Sequence, residues 1–315
     1  MSHAQQATEN PRVSGHRPDA EVMYPAIALL IGVFCAVLGL VPGWITGAKL
    51  PLQNLWANQV MPDQMPFSLL PLSQYEVLSL IALLTTGGAA AGLAVRLWNP
   101  NHRRAATWWA VGGVLLVHSV AAIQSFVTLG SGLMGGKLAS LYFFGLLAGV
   151  MLSVAAGLVA VLLLASRSRA TTTIGVGLMA SSVTSWLMLW AVGIADHRNL
   201  PLEIVTIAHW LPAVLVGCSL AWCGLKPPLR LVVWALNLAF LWVIPAVFTA
   251  TQSVVGTRVI AGDIPEMVLM GQQVLAAALG PDGGAGQTLL LAVVVALMGV
   301  GIRAVVAARR GSSQR

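Results

Sequence analysis

The chain has 315 residues, of which 57% are hydrophobic and 9% charged, and its mean hydropathy is +0.84. Water-soluble domains carry about 25% charged residues, so a fold surrounded mainly by water is excluded. The net charge of +7 does not point to nucleic acid, because the basic residues fall in short clusters between apolar runs with no interleaved aromatic stripe.

Residues 1–22 are polar and aperiodic, and a disordered tail is expected there. The first apolar run starts at Tyr24 and lacks a small-residue cleavage site, so it reads as a retained span. Segments able to cross a hydrocarbon core of about 30 Å, at about 1.5 Å per helical residue, recur along the chain. There are eight, at 24–44, 74–98, 106–129, 138–165, 172–195, 203–224, 229–250 and 287–307. Lipid offers no hydrogen bonds, so these must be helices, and no segment alternates as a membrane β-barrel would. The expectation is one all-α, polytopic membrane bundle over 23–307, with a tail at 308–315.

After the first span, "PLQNLWANQVM" puts Leu52, Leu55, Trp56 and Val60 on one helical face. An interfacial amphipathic helix is expected over 50–61, followed by an extended path through Pro62, Pro66 and Pro71. The second span opens with Ser73 and Glu76, a capping-box pattern, and ends on Arg96 and Trp98, which suit a membrane interface. Glu76 is retained as a candidate functional acid. The third span holds His118 in its interior and Gln124, Ser125 and Thr128 toward its far end.

Small residues stripe three spans: Gly88 and Gly92 in the second, Gly145, Gly149, Ser153 and Gly157 in the fourth, and Gly177, Ser181 and Ser185 in the fifth. Such stripes let helices approach closely in lipid, so spans two, four and five are expected as the packed centre. The same stripes are the surfaces on which a second copy or another membrane subunit would dock.

Between the fifth and sixth spans, "DHRNLPLE" gathers Asp196, His197, Arg198 and Glu203, a polar cluster suited to capping helices, to a metal or to acid–base work. In "TIAHWLP" of the sixth span, Pro212 frees the carbonyl of Ala208 beside Thr206 and His209. Asn237 and Pro245 give the seventh span a similar irregularity. Interrupted helices of this kind mark substrate sites in transporters. Thr206, His209, Pro212, Asn237, His118, Gln124 and Glu76 are therefore the candidate substrate-binding residues. A second amphipathic helix is expected over 263–280, with Asp263 as N-cap, Gly280 and Pro281 as stop, and an apolar stripe of Met267, Met270, Val274 and Ala278.

If both termini share a side, that side holds thirteen of the basic residues and the opposite side four, Lys49, Lys137, Arg198 and Arg258. The positive-inside rule then places both termini in the cytoplasm. Arginine outnumbers lysine fourteen to three, a habit associated with GC-rich bacteria, so a bacterial plasma membrane is expected. Cys35, Cys218 and Cys223 lie in apolar runs and suggest neither disulfide nor zinc. No Walker A, HExxH or GxSxG motif is present.

These features suit a transporter or permease for a small neutral or amphipathic molecule, or a lipid, with an outward vestibule under the two amphipathic segments. The alternatives are a membrane-embedded subunit of a larger assembly, and an intramembrane enzyme or haem carrier using His118 and His209. No cofactor is expected under the first two readings. The partners expected are the lipid bilayer and other membrane subunits, not nucleic acid.

Overall fold

The computed structural model describes residues 18–51, 55–195, 200–257 and 260–312. Nine α-helices account for most of them: α1 Pro18–Ile45, α2 Val77–Trp98, α3 Arg103–Gly132, α4 Lys137–Leu164, α5 Arg169–Ala195, α6 Leu202–Cys223, α7 Arg230–Gly256, α8 Ile264–Leu279 and α9 Ala285–Ser312. All but α8 are long and apolar enough to cross a membrane, and no strand forms among the described residues. The architecture is thus an all-helical, multi-pass bundle.

Several helix ends differ by a few residues from the expected spans, α7 running on to Gly256, and two helices enter the expected tails. Helix α1 begins at Pro18, inside the expected tail, because proline suits a first helical position and Asp19 and Glu21 follow in the positive first turn. Helix α9 continues past 307 to Ser312, with Arg309 and Arg310 in its last turn, where cations suit the helix dipole.

Helix α2 is the axle of the bundle, packing against α1, α3, α4 and α5, and its span is the most buried. The second group, α5, α6, α7 and α9, joins the first chiefly through α5, with α7 also touching the start of α2. Close approach depends on absent side chains. A Cβ on Gly88 would lie 2.3 Å from the Gly157 carbonyl oxygen, and one on Gly92 2.7 Å from that of Val161, so these residues let α2 and α4 touch backbone to backbone. Gly32 and Gly113 do the same between α1 and α3, a pair the stripe reading overlooked because their spacing falls on two different helices. Gly177 has another use. Its missing side chain leaves room for the Asn237 amide oxygen, 2.0 Å from where a Cβ would sit.

The expected interfacial helix at 50–61 does not form among the described residues of that stretch. Its residues pair with other loops instead. Ala57 donates to Gly132 O at 2.9 Å, Met134 to Leu55 O at 2.7 Å, and Leu50 to Pro66 O at 3.0 Å. The Trp56 ring occupies the place where a side chain on Gly132 would be. Long-range pairing of the backbone, with Pro51 and Pro62 at either end, outweighs the amphipathic pattern. The segment becomes a plug: Leu50, Met65, Leu70 and Leu72 are buried with Leu80, Leu84 and Leu129. Leu52 lies outside the described residues.

Gln124 fastens this plug. Its Oε1 accepts from Leu69 N at 2.9 Å and its Nε2 donates to Phe67 O at 3.0 Å, while Ser125 Oγ accepts from Leu70 N at 2.9 Å. Trp44 adds a bond from Nε1 to Leu69 O at 3.0 Å. Gln124→Leu leaves the amide and carbonyl of 67–69 without partners, at about 1–3 kcal/mol. The expected outcome is a lower unfolding temperature with faster hydrogen exchange confined to 66–70. Unchanged exchange there would show that Gln124 does not hold the plug.

Helix α8 matches its expected signals. Asp263 caps it by accepting from Glu266 N at 3.2 Å. It packs on α7, and Met267, Met270, Val274 and Ala278 are half-buried while Val268 and Leu269 are exposed.

Candidate functional site

The loop-rich face carries the plug and α8, and beneath them lie two hollows. The larger is a cavity of about 800 Å³ walled by α2, α4 and α7, with the start of α8 over it. Helices α4 and α7 share no packed interface, so a gap runs between them at this level. The walls are almost wholly aliphatic: Leu80 and Ile81 from α2, Leu141 and Leu152 from α4, and Val254 and Val255 from α7. A polar fringe of Gln74, Tyr75, Thr251 and Thr257 marks its loop-rich end.

Helix α4 explains why a cavity exists here. Gly145 and Gly149 line it, and no atom lies within 4 Å of where their Cβ atoms would be. Four residues beyond Gly149, Ser153 turns its hydroxyl back to Gly149 O at 2.8 Å and lines the end of the hollow. Below it Gly157 meets Gly88 and the helices close. One continuous stripe therefore does two things: its last member seals α4 against α2, and its first two keep a space open. Spacing alone could not separate these, because it does not reveal which neighbour stands opposite each glycine.

The smaller cleft, about 420 Å³, lies between α2, α5 and α6. Ser79, Thr184, Ser185 and His209 line it with Met188 and Ala208. Glu76 reaches its edge by accepting from Ser79 Oγ at 2.6 Å. The expected capping box is thus rewired. Ser73 accepts from Tyr75 N and its own amide bonds to Pro71, leaving the Glu76 carboxylate to Ser79. Helix α6 runs through Pro212, and Ala208, whose carbonyl that proline deprives of a helical donor, faces the cleft. Thr206 is exposed and donates to Leu202 O at 2.9 Å.

The remaining candidates are dispersed. His118 is 1% exposed, and neither ring nitrogen has a hydrogen-bond partner. It sits on α3, which packs against α1, α2 and α4, whereas His209 is on α6, which packs against α5, α7 and α9. The two histidines therefore lie on helices without a shared interface. Asn237 is fully buried on α7, donating to Val233 O at 2.8 Å, and its amide oxygen has no partner. Ser181 is half-buried within α5. Of the polar cluster, Glu203 opens α6, exposed, while Asp196, His197 and Arg198 lie outside the described residues. No group of three or more metal-ligating side chains occurs among the described residues.

An imidazole buried without partners forfeits its hydration and receives nothing in return. His118→Leu is therefore expected to raise the unfolding temperature, by an amount worth about 1–3 kcal/mol. A substantial drop instead would mean that the ring has a ligand or relays protons.

The chain matches no protein-family profile, no curated protein and no solved structure. What the site does must be argued from its geometry.

Proposed function

We propose that the protein is a permease for an amphipathic molecule, with a lipid as the class that fits best, and that the cargo sits in the cavity between α2, α4 and α7. The observation that carries this reading is the cavity itself, about 800 Å³ with aliphatic walls and a polar fringe at one end. Small-molecule sites span about 300–1,000 Å³ and are mostly apolar with a few placed polar groups, so size and lining agree. The gap between α4 and α7 gives a cargo with a long apolar part a sideways route from the bilayer. The cavity stops where Gly88 and Gly157 bring α2 and α4 together, so transport requires that contact to part in another state.

The thirteen-to-four distribution of basic residues supports a bacterial plasma membrane with both termini cytoplasmic and the cavity toward the outer leaflet. Reconstitution tests the reading directly. Vesicles holding the protein are expected to move a headgroup-labelled phospholipid between leaflets faster than empty vesicles, followed by reductive quenching of the outer label. Equal rates in both would reduce the cavity to a binding site.

A second reading, a subunit of a larger membrane assembly, is favoured by α9. Its span is only 11% buried, the least of the eight, so a broad apolar face is available to a neighbour. The detergent-corrected mass decides between them. A monomer that still moves lipid supports the permease, and co-purification with a stoichiometric partner supports the subunit.

A further inference from the structure

The face opposite the cavity carries a concentration of positive charge that the permease reading does not use. Four arginines meet where α2 ends, α3 begins and the connection 165–168 joins α4 to α5. Arg96 donates from Nη1 to Ser166 O and, at 2.7 Å, to Thr172 Oγ1. Arg103 donates from Nη2 to Arg96 O at 2.7 Å. The guanidinium groups of Arg96 and Arg169 lie over the same Trp222 ring, 5.1 and 5.6 Å from its centre. Arg103 is close enough to feel the charges of Arg96 and Arg167, and Arg96 that of Arg169.

Nothing described offsets this charge. None of the four makes an ion pair with a described residue, and the carboxylates whose side chains are described, Asp63, Glu76, Glu203, Asp263 and Glu266, all belong to the loop-rich face. Arg103 is only 9% exposed, yet its Nε is buried and has no hydrogen-bond partner. A buried cation donor without an acceptor is costly, and in a native fold it points to a missing counter-group. The first turns of α3 and α5 add their positive dipole ends at the same place.

We propose that this junction binds the phosphate of an anionic lipid headgroup. Guanidinium groups offer forked donors matched to phosphate oxygens. The aromatic rings at this level, Trp98 stacked with Tyr24 at 5.9 Å and Trp222 beneath the arginines, are those that settle at the headgroup region of a bilayer. The adjoining basic residues of the face strengthen the attraction to anionic lipid. This site is separate from the cargo cavity and does not depend on the permease reading.

The test uses purified full-length protein in detergent, titrated with dioleoyl-phosphatidylglycerol, dioleoyl-phosphatidylcholine or inorganic phosphate, and read by native mass spectrometry and thermal unfolding. Phosphatidylglycerol is expected to bind and stabilise, and phosphatidylcholine to do so at least about tenfold more weakly. The exposed pair R167Q/R169Q should weaken phosphatidylglycerol binding at least about tenfold, since two cationic donors beside the headgroup are lost. R309Q/R310Q removes equal charge from the end of α9 on the same face and should weaken binding about twofold at most, because only the diffuse surface attraction is reduced. Asp19 and Glu21 open α1, the helix whose Tyr24 stacks on Trp98, and D19N/E21Q should leave binding unchanged or stronger. Equal loss in the two arginine pairs would overturn the site in favour of diffuse surface charge. Binding that appears only in D19N/E21Q would show that these acids already fill the role, and stabilisation by inorganic phosphate alone would overturn the lipid assignment.

Discussion

Gly88→Leu is expected to abolish recovery of folded protein, and Gly88→Ala to cost about 1–3 kcal/mol. A single methyl at this position would sit 2.3 Å from the carbonyl oxygen of Gly157 and 2.7 Å from its carbon. Both are backbone atoms, which cannot swing aside as a side chain would. Accommodating leucine means pushing α4 away from α2, the helix on which most of the bundle packs. Native proteins are stable by about 5–15 kcal/mol, so a displacement that opens the central interface uses a large part of that margin. Size-exclusion profiles and unfolding temperatures in detergent measure the effect. The control is Gly145→Ala on the facing stripe, where no atom lies within 4 Å of the new methyl. There, replacing a helix-interior glycine should stabilise by about 0.5–1 kcal/mol. A Gly88→Leu protein as monodisperse and heat-stable as the parent would show that α2 and α4 do not touch as described.

Gly149→Phe should separate binding from folding. The new ring enters the cavity, where there is open space around Gly149, so the unfolding temperature should stay within a few degrees of the parent. Cargo capture should fall at least about tenfold, since about 1.4 kcal/mol of lost contact suffices for that factor. The same change at Gly157 would resemble Gly88→Leu instead, because Gly157 faces Leu84 O at 3.1 Å. Two glycines two turns apart on one helix thus predict opposite phenotypes, one losing ligand and the other losing the fold. Loss of both stability and capture in Gly149→Phe would place that residue in a packed contact.

Most of the helices were legible because lipid burial imposes a minimum length and forbids charge, and both show in hydropathy. The same logic found α8, whose cap, stop and stripe all lie within a few residues of one another. The plug was not legible. Its stability comes from Gln124 and Ser125 on α3 and from the 132–134 segment, partners more than fifty residues away, and a local amphipathic pattern carries no trace of them. Gln124 is visible in the sequence as a polar residue near one face, but its side-chain amide bonds to Phe67, Leu69 and Thr128. The cavity was hidden for a different reason. Gly145 and Gly149 have the spacing of a packing stripe, and only the absence of a helix opposite them turns spacing into space. Glu76 and His209 were singled out separately, and the fold sets Ser79 and its bonded acid at the edge of the cleft that His209 lines.

Photo-crosslinking with a diazirine-bearing phospholipid, followed by peptide mapping, reads the occupant of the cavity most directly. Adducts are expected to concentrate on 141–156 and 251–267 and to disappear from both stretches in Gly149→Phe, while labelling of the exposed α9 persists unchanged. Labelling spread along α9 and the outer sides of the bundle, with no enrichment at 141–156 and no response to Gly149→Phe, would contradict the account.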